Sequence, residues 1–263
     1  MYWQDSSRID IVKPMGKIVA IGGGETGKPG YPVETPETNR EIIRLSGKPI
    51  PRLLFIPTAT SGSELYCSVI KSHFGGRLGC DMDILYLLDN SPPRREIEEK
   101  ILSSDIIYVG GGNTLKMMIA WRKQGGDKVL EEAYMRGIVL SGLSAGAICW
   151  FKQSSSDSRK YTNPEAGLIK VSGLNFINAL CFPHYHTEEA RKPHLRELIK
   201  KTPGTAIAID NCCAIEIVDD GYRIISSKSN AGAYKVYFSK GEFHEELIEQ
   251  KTEFSSIGPL LSK

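Results

Sequence analysis

The groups in this sequence best suited to chemistry are a serine enclosed by glycines, a histidine pair one residue apart, and an adjacent aspartate and asparagine. The serine is Ser144, in Gly142-Leu143-Ser144-Ala145-Gly146. An apolar run, Val139-Leu140, precedes it, and apolar residues follow in helical register, which places it on a strand-to-helix turn. A nucleophile elbow needs small neighbours there, because the serine backbone is strained and bulk would close the turn. The turn points Oγ out above the sheet edge. The Ala145 N–H then lies at a helix N-terminus and can stabilise an oxyanion. A plain turn with small residues for close packing would look the same.

A serine hydroxyl needs a base to take its proton. The chain has five histidines, and two of them, His184 and His186, fall in Phe182-Pro183-His184-Tyr185-His186 at the end of an apolar run. His184 is favoured as base, with His186 next. The H-x-H spacing could also hold a metal, but no third ligand stands at a suitable distance along the chain. A base wants an orienting group, and Ala206-Ile207-Ala208-Ile209 ends in Asp210-Asn211, either of which could hold His184. A second glycine turn, Gly110-Gly111-Gly112-Asn113, closes the run Ile106–Val109. Its three glycines leave backbone N–H groups open, which could add an oxyanion donor, and Asn113 can cap the helix that follows. A third, Gly22-Gly23-Gly24-Glu25-Thr26-Gly27, matches G-x-G-x-x-G. A dinucleotide site requires a helix to start at once, and Pro29 and Pro32 block one. A glycine turn at a strand end is the better reading.

The elements that position these groups alternate. Short apolar runs at 17–21, 53–56, 84–88, 106–109 and 138–140 predict strands. Helices are predicted at 37–45, 63–74, 92–103, 113–121 and 128–136. This alternation points to an α/β fold of three layers, a mostly parallel sheet with helices on both faces. Beyond Ser144 the pattern changes. Residues 152–165 read as loop, 188–200 as helix, and 205–209, 213–218, 222–226 and 234–238 as strands. No linker or repeat divides the chain, so residues 1–263 are expected to form a single domain.

Composition excludes several classes. With 263 residues the chain can bury a core without disulfides or metal. Its net charge is +2, and no basic stripe suggests a nucleic-acid partner. Six cysteines form no C-x-x-C pair and read as reduced thiols of a cytoplasmic protein. Residues 1–13 carry Asp5, Arg8 and Asp10 and no apolar core, so no signal peptide is expected. No apolar stretch is long enough to cross a membrane.

Together, the Gly110–Asn113 turn, the Gly142–Ala147 elbow and Pro183-His184-Tyr185 resemble, in order and spacing, the peptidase E family of serine peptidases, whose relatives include cyanophycinases. The resemblance runs from about residue 50 to 240. It implies a core fold shared with class I glutamine amidotransferases, which carry cysteine at the elbow where this chain has Ser144. It implies Ser144 as nucleophile, His184 as base, and an oxyanion hole from Gly111, Gly112 and Ala145. Peptidase E removes an N-terminal aspartate from short peptides, and cyanophycinases cut a β-linked aspartyl–arginine polymer. A basic residue should therefore meet a carboxylate, and Arg191 stands roughly where the family places an arginine. Asn113 is a second candidate for substrate contact. One departure is plain: the family usually has glutamate as third triad member, and here Asn211 occupies that position with Asp210 just before it. The expected ligand is a small peptide, without cofactor, metal, nucleic acid or membrane; the oligomeric state is open, a homodimer included. Two other readings compete, a cyanophycinase-like hydrolase of another amide and a non-catalytic nucleotide-binding or sensor domain of the same fold.

Overall fold

The computed structural model describes residues 16–88, 91–202 and 204–262. The N-terminal segment read for a signal lies outside them. The first strand, β1 (Lys17–Ile21), shows why the sheet is covered on both sides. Ile18 and Ala20 belong to one core cluster, Val19 and Ile21 to another. Alternate side chains of a strand point to opposite faces, so both faces are apolar and both must be packed.

The parallel core comprises β1, β2 (Arg52–Ile56), β3 (Asp81–Ile84), β4 (Ile106–Val109) and β5 (Val139–Leu143). A second sheet comprises β6 (Phe151–Ser156), β7 (Ile169–Ser172), β8 (Ile177–Pro183), β9 (Thr205–Ile209), β12 (Ala233–Ser239) and β13 (Glu242–Leu247). The strands β10 (Cys213–Val218), β11 (Gly221–Ser226) and β14 (Ser255–Ser256) return to the first sheet. Its order is β14-β11-β10-β1-β5-β4-β2-β3, and that of the second is β13-β12-β9-β8-β6-β7. From β1 to β3 all pairings are parallel, whereas β10, β11 and β14 add an antiparallel flank.

On one face of the first sheet lie α1 (Pro36–Ser46) and α2 (Glu64–Ile70), which bury Ile42, Leu45, Cys67 and Ile70 against Val19, Phe55 and Tyr108. On the other face α3 (Arg94–Leu102), α4 (Thr114–Gln124) and α5 (Gly126–Met135) bury Ile97, Met117, Trp121 and Leu130. The short helix α6 (Ala145–Ile148) sits there too, and through it the second sheet joins the same core. The outer face of that sheet is closed by α7 (Lys192–Lys201), and α8 (Ile257–Leu261) ends the described chain.

Three expectations change. Residues 152–165 are not all loop, because β6 runs to Ser156 and a 3₁₀ turn follows at Ser158–Tyr161. Ser154, Ser155 and Ser156 are buried, with hydroxyls bonded to Ser155 O, His194 Nδ1 and Ser158 Oγ. Small polar residues that bond locally leave no hydrophobic alternation to read. The third strand ends at Ile84, where the expected run 84–88 begins. Leu85 and Leu87 still enter the core, and Leu85 N still donates to Phe55 O of β2 at 2.9 Å. The helix expected to Phe74 changes to a π-helical turn, Lys71–Arg77. All six cysteines are buried and unpaired.

Candidate active site

The end of β1 organises the site. Three successive carbonyls there accept three amides from separate parts of the chain. Ile21 O accepts from Ser144 N at 3.0 Å, Gly22 O from His184 N at 3.1 Å and Gly23 O from Cys212 N at 2.8 Å. The glycines are required for this approach. A Cβ on Gly22 would meet Asp210 O at 2.2 Å, and one on Gly23 would meet Asn211 Oδ1 at 2.1 Å and His184 Nδ1 at 2.4 Å. No helix follows Gly27; α1 begins at Pro36, so the context of a dinucleotide motif is not met.

Ser144 follows β5 with φ 57° and ψ −108°, a strained conformation for a residue other than glycine. Strain of this kind costs about 1–3 kcal/mol and persists where packing enforces it. Here the enforcement is close backbone contact. A Cβ on Gly142 would lie 2.4 Å from Gly146 O, and one on Gly146 would lie 2.1 Å from Val109 O. The flanking glycines thus let α6 settle onto the ends of β4 and β5.

His184 also takes a positive φ, 56°. Its Nε2 lies 2.8 Å from Ser144 Oγ, and its Nδ1 lies 2.6 Å from Asn211 Oδ1. With the ring proton on Nδ1, His184 donates to Asn211 and accepts from the serine hydroxyl. That is the tautomer a general base needs. Of the two candidates at the end of β9, Asn211 is therefore the one on His184. Asp210 is turned elsewhere: Oδ1 accepts from His186 N at 3.1 Å and contacts His186 Nδ1 at 2.8 Å, while Oδ2 accepts from Gly232 N at 3.0 Å. His186, the second candidate base, is held on that carboxylate.

The turn Gly110–Asn113 lies beside Ser144; a Cβ on Gly111 would be 3.5 Å from Ser144 Cβ. Gly112 has φ 131°, and a Cβ there would strike Ala59 O at 2.4 Å. Sequence reasoning missed Tyr66. Its ring lies against Gly110 and meets Phe55 edge-on at 5.4 Å. Burial pushes its hydroxyl up to about 12, with the Gly111 backbone acting in the opposite direction. The phenol is therefore neutral near pH 7 and lies beside the Gly111 backbone. No sequence signal marks Tyr66, which follows its N-cap serine on α2 like any helix residue.

Asn113 is occupied at both ends of its amide. Oδ1 caps α4 by accepting from Lys116 N at 2.9 Å, and Nδ2 donates to Ser158 O at 3.0 Å. Arg191 lies in a 3₁₀ turn ahead of α7 and is paired twice, with Asp157 at 2.7 Å and with Glu188. Its charge is already met by carboxylates of the chain. Among the described residues, no group of three or more His, Cys, Asp or Glu could hold a metal ion, and no helix is long and apolar enough to cross a membrane.

A strained serine above the ends of parallel strands, bonded to a histidine that an amide orients, can carry out nucleophilic acyl transfer. The sequence comparisons agree with that class. The model of peptidase family S51 matches residues 18–225, and the chain belongs to this family. It is a serine-type peptidase. It is 34% identical over 236 residues to the uncharacterized peptidase YgaJ of Bacillus subtilis (strain 168), covering 88% of this chain and 96% of that one. It is 24% identical over 161 residues to peptidase E of Streptomyces coelicolor, covering 57% of this chain and 61% of that protein. The crystal structure of a peptidase from an acI-B1 Actinobacterium superposes with a TM-score of 0.68 at 20% identity, covering 93% of this chain and 98% of that one.

Proposed function

We propose that this peptidase acts through Ser144 and His184 and cleaves short peptides after an N-terminal aspartyl residue. The observation that carries the catalytic part is the 2.8 Å contact between Ser144 Oγ and His184 Nε2, with Asn211 on the far side of the ring. Ser144 Oγ attacks the carbonyl carbon as His184 Nε2 takes its proton. The oxyanion is met by the N–H groups of Ala145 and of the Gly111–Gly112 turn. Ala145 opens α6, where the first amides have no helical acceptor. His184 then returns the proton to the leaving amine, and water repeats the sequence to release the acyl group. Asn211 fixes the tautomer without charge.

The aspartyl preference rests on the resemblance to peptidase E. Arg191 can serve it only by exchanging Asp157 or Glu188 for the substrate carboxylate, since both already hold its guanidinium. The test is hydrolysis of a panel of Asp-X and non-Asp dipeptides by wild type and Ser144→Ala, beside labelling of Ser144 with a fluorophosphonate. The expected result is cleavage confined to Asp-X, absent in the variant, and a label on wild type alone. Cleavage of non-Asp dipeptides would remove the aspartyl preference, and cleavage by Ser144→Ala would remove the nucleophile.

A further inference from the structure

The Gly110–Asn113 turn runs into α4, and Asn113 at its end lines a groove that the catalytic contacts do not use. Asn113 follows Gly112, and its Nδ2 clasps Ser158 O at 3.0 Å, so α4 and the 158–162 segment form two walls starting at this point. Between them lies a cavity of about 410 Å³. Its apolar lining is Leu88, Leu115, Ile119 and Ala120, and Ile119 is 56% exposed. Its rim carries Lys116, Lys123 and Arg159, all exposed, and among the described residues no acidic residue lines it. None of the three cations has a carboxylate within ion-pair distance among the described residues; Lys116 Nζ donates only to the neutral Ser61 Oγ, at 2.8 Å. Arg191, by contrast, has two.

We propose that this groove is a subsite for the leaving part of the substrate, taking an apolar side chain on its floor and the free C-terminal carboxylate on its cationic rim. The inference rests on the peptidase reading above, in which cleavage after the first residue leaves the rest of the peptide on the leaving side. Two features favour that part over the aspartyl side chain. A floor of four apolar residues matches a leucine or phenylalanine, whereas aspartate offers one methylene. The volume also exceeds what one short acidic side chain would fill. Ligand sites combine an apolar lining with a few charged groups that fix orientation, and unpaired cations that meet a carboxylate gain without first giving up a partner.

Two measurements test this separately from the aspartyl preference. In the first, Ser144→Ala protein is titrated with N-acetyl-leucine and N-acetyl-leucinamide, with and without Lys123→Glu and Arg159→Glu together. Neither probe contains aspartate, so the result concerns the groove alone. The acid should bind about tenfold more tightly than the amide, as one charge-assisted contact allows, and the double reversal should bring the ratio near one. In the second, wild type and the double variant hydrolyse Asp-Leu, Asp-Gly and Asp-leucinamide. The KM of wild type should rise in that order, with the acid–amide difference lost in the variant. Equal affinity for acid and amide, no binding of either, or a preference that survives the reversal would overturn the subsite. A preference in titration without hydrolysis of any Asp-X peptide would overturn the aspartyl reading and keep the subsite.

Discussion

Two histidine pairs lie side by side in this molecule, and the more strongly charged one is not at the serine. His186 contacts the carboxylate of Asp210, while His184 contacts the amide of Asn211. The backbone explains the division. Asp210 ends β9 facing Gly232 and the amide of His186, so its oxygens knit the 184–187 turn to the sheet. The next residue, Asn211, faces the other way, toward Gly23 and His184. One pair thus holds the frame, and the other faces the Ser144 hydroxyl. Which residue the turn directs at each ring decides which histidine faces Ser144.

The strongest way to break this comparison is to delete each histidine. His184→Ala should lower kcat/KM by about 10⁴-fold or more, the usual scale for losing a base of this kind, while His186→Ala should change it by less than about tenfold. Equal losses would mean that the two pairs act as one. Next in size is Gly23→Ala. Its methyl would intrude on both Asn211 Oδ1 and His184 Nδ1, and a displacement near 1 Å costs about 100-fold in rate; circular dichroism should show the fold retained.

Asn211→Asp sharpens the contrast by giving the second pair the charge of the first. A carboxylate beside the ring favours imidazolium, so the acidic limb of the kcat/KM profile should move to higher pH by about one unit. An unmoved limb would show that Asn211 does not face the working base. Asp210→Asn should act mainly on stability, costing about 1–3 kcal/mol as one buried acceptor is lost, read as a lower Tm with kcat reduced by less than tenfold.

The smallest effect is expected from a buried acid on β10 that faces no histidine. Burial pushes Glu216 up to about 7, against the bond and charge of Arg223 and with the neighbouring Glu41 adding repulsion. A carboxyl whose folded pKa is raised stabilises the protein fully below its ordinary value near 4.5 and loses that contribution as pH rises through about 7. The difference in unfolding free energy between wild type and Glu216→Gln should therefore shift in favour of the variant between those limits, by an amount on the order of 1 kcal/mol, read from denaturant titrations at each pH. Activity measured at one pH should be unaffected.

The alternation of apolar runs determined the parallel core, and the spacing of Gly142, Ser144 and Gly146 marked the elbow, because both depend on local periodicity and on steric demands within a few residues. The second sheet was only partly legible. Its strands β9 and β12 read clearly, but β6 carries buried serines whose hydroxyls bond to near neighbours and to His194. Tyr66 against Gly110, and Asp157 and Glu188 on Arg191, gave no local signal at all.

What the sequence by itself determined is which residues could react: Ser144, His184, and one of Asp210 and Asn211. Only the tertiary structure decided which of them meet. The choice of Asn211 over Asp210 depends on how β9 leaves the second sheet. The joining of serine and histidine depends on Ile21, Gly22 and Gly23 accepting amides from three distant segments. A glycine string can be read as a turn from sequence, but the partners of its carbonyls are set by sheet order. Bonds between residues far apart in the chain exist only once the sheets have packed.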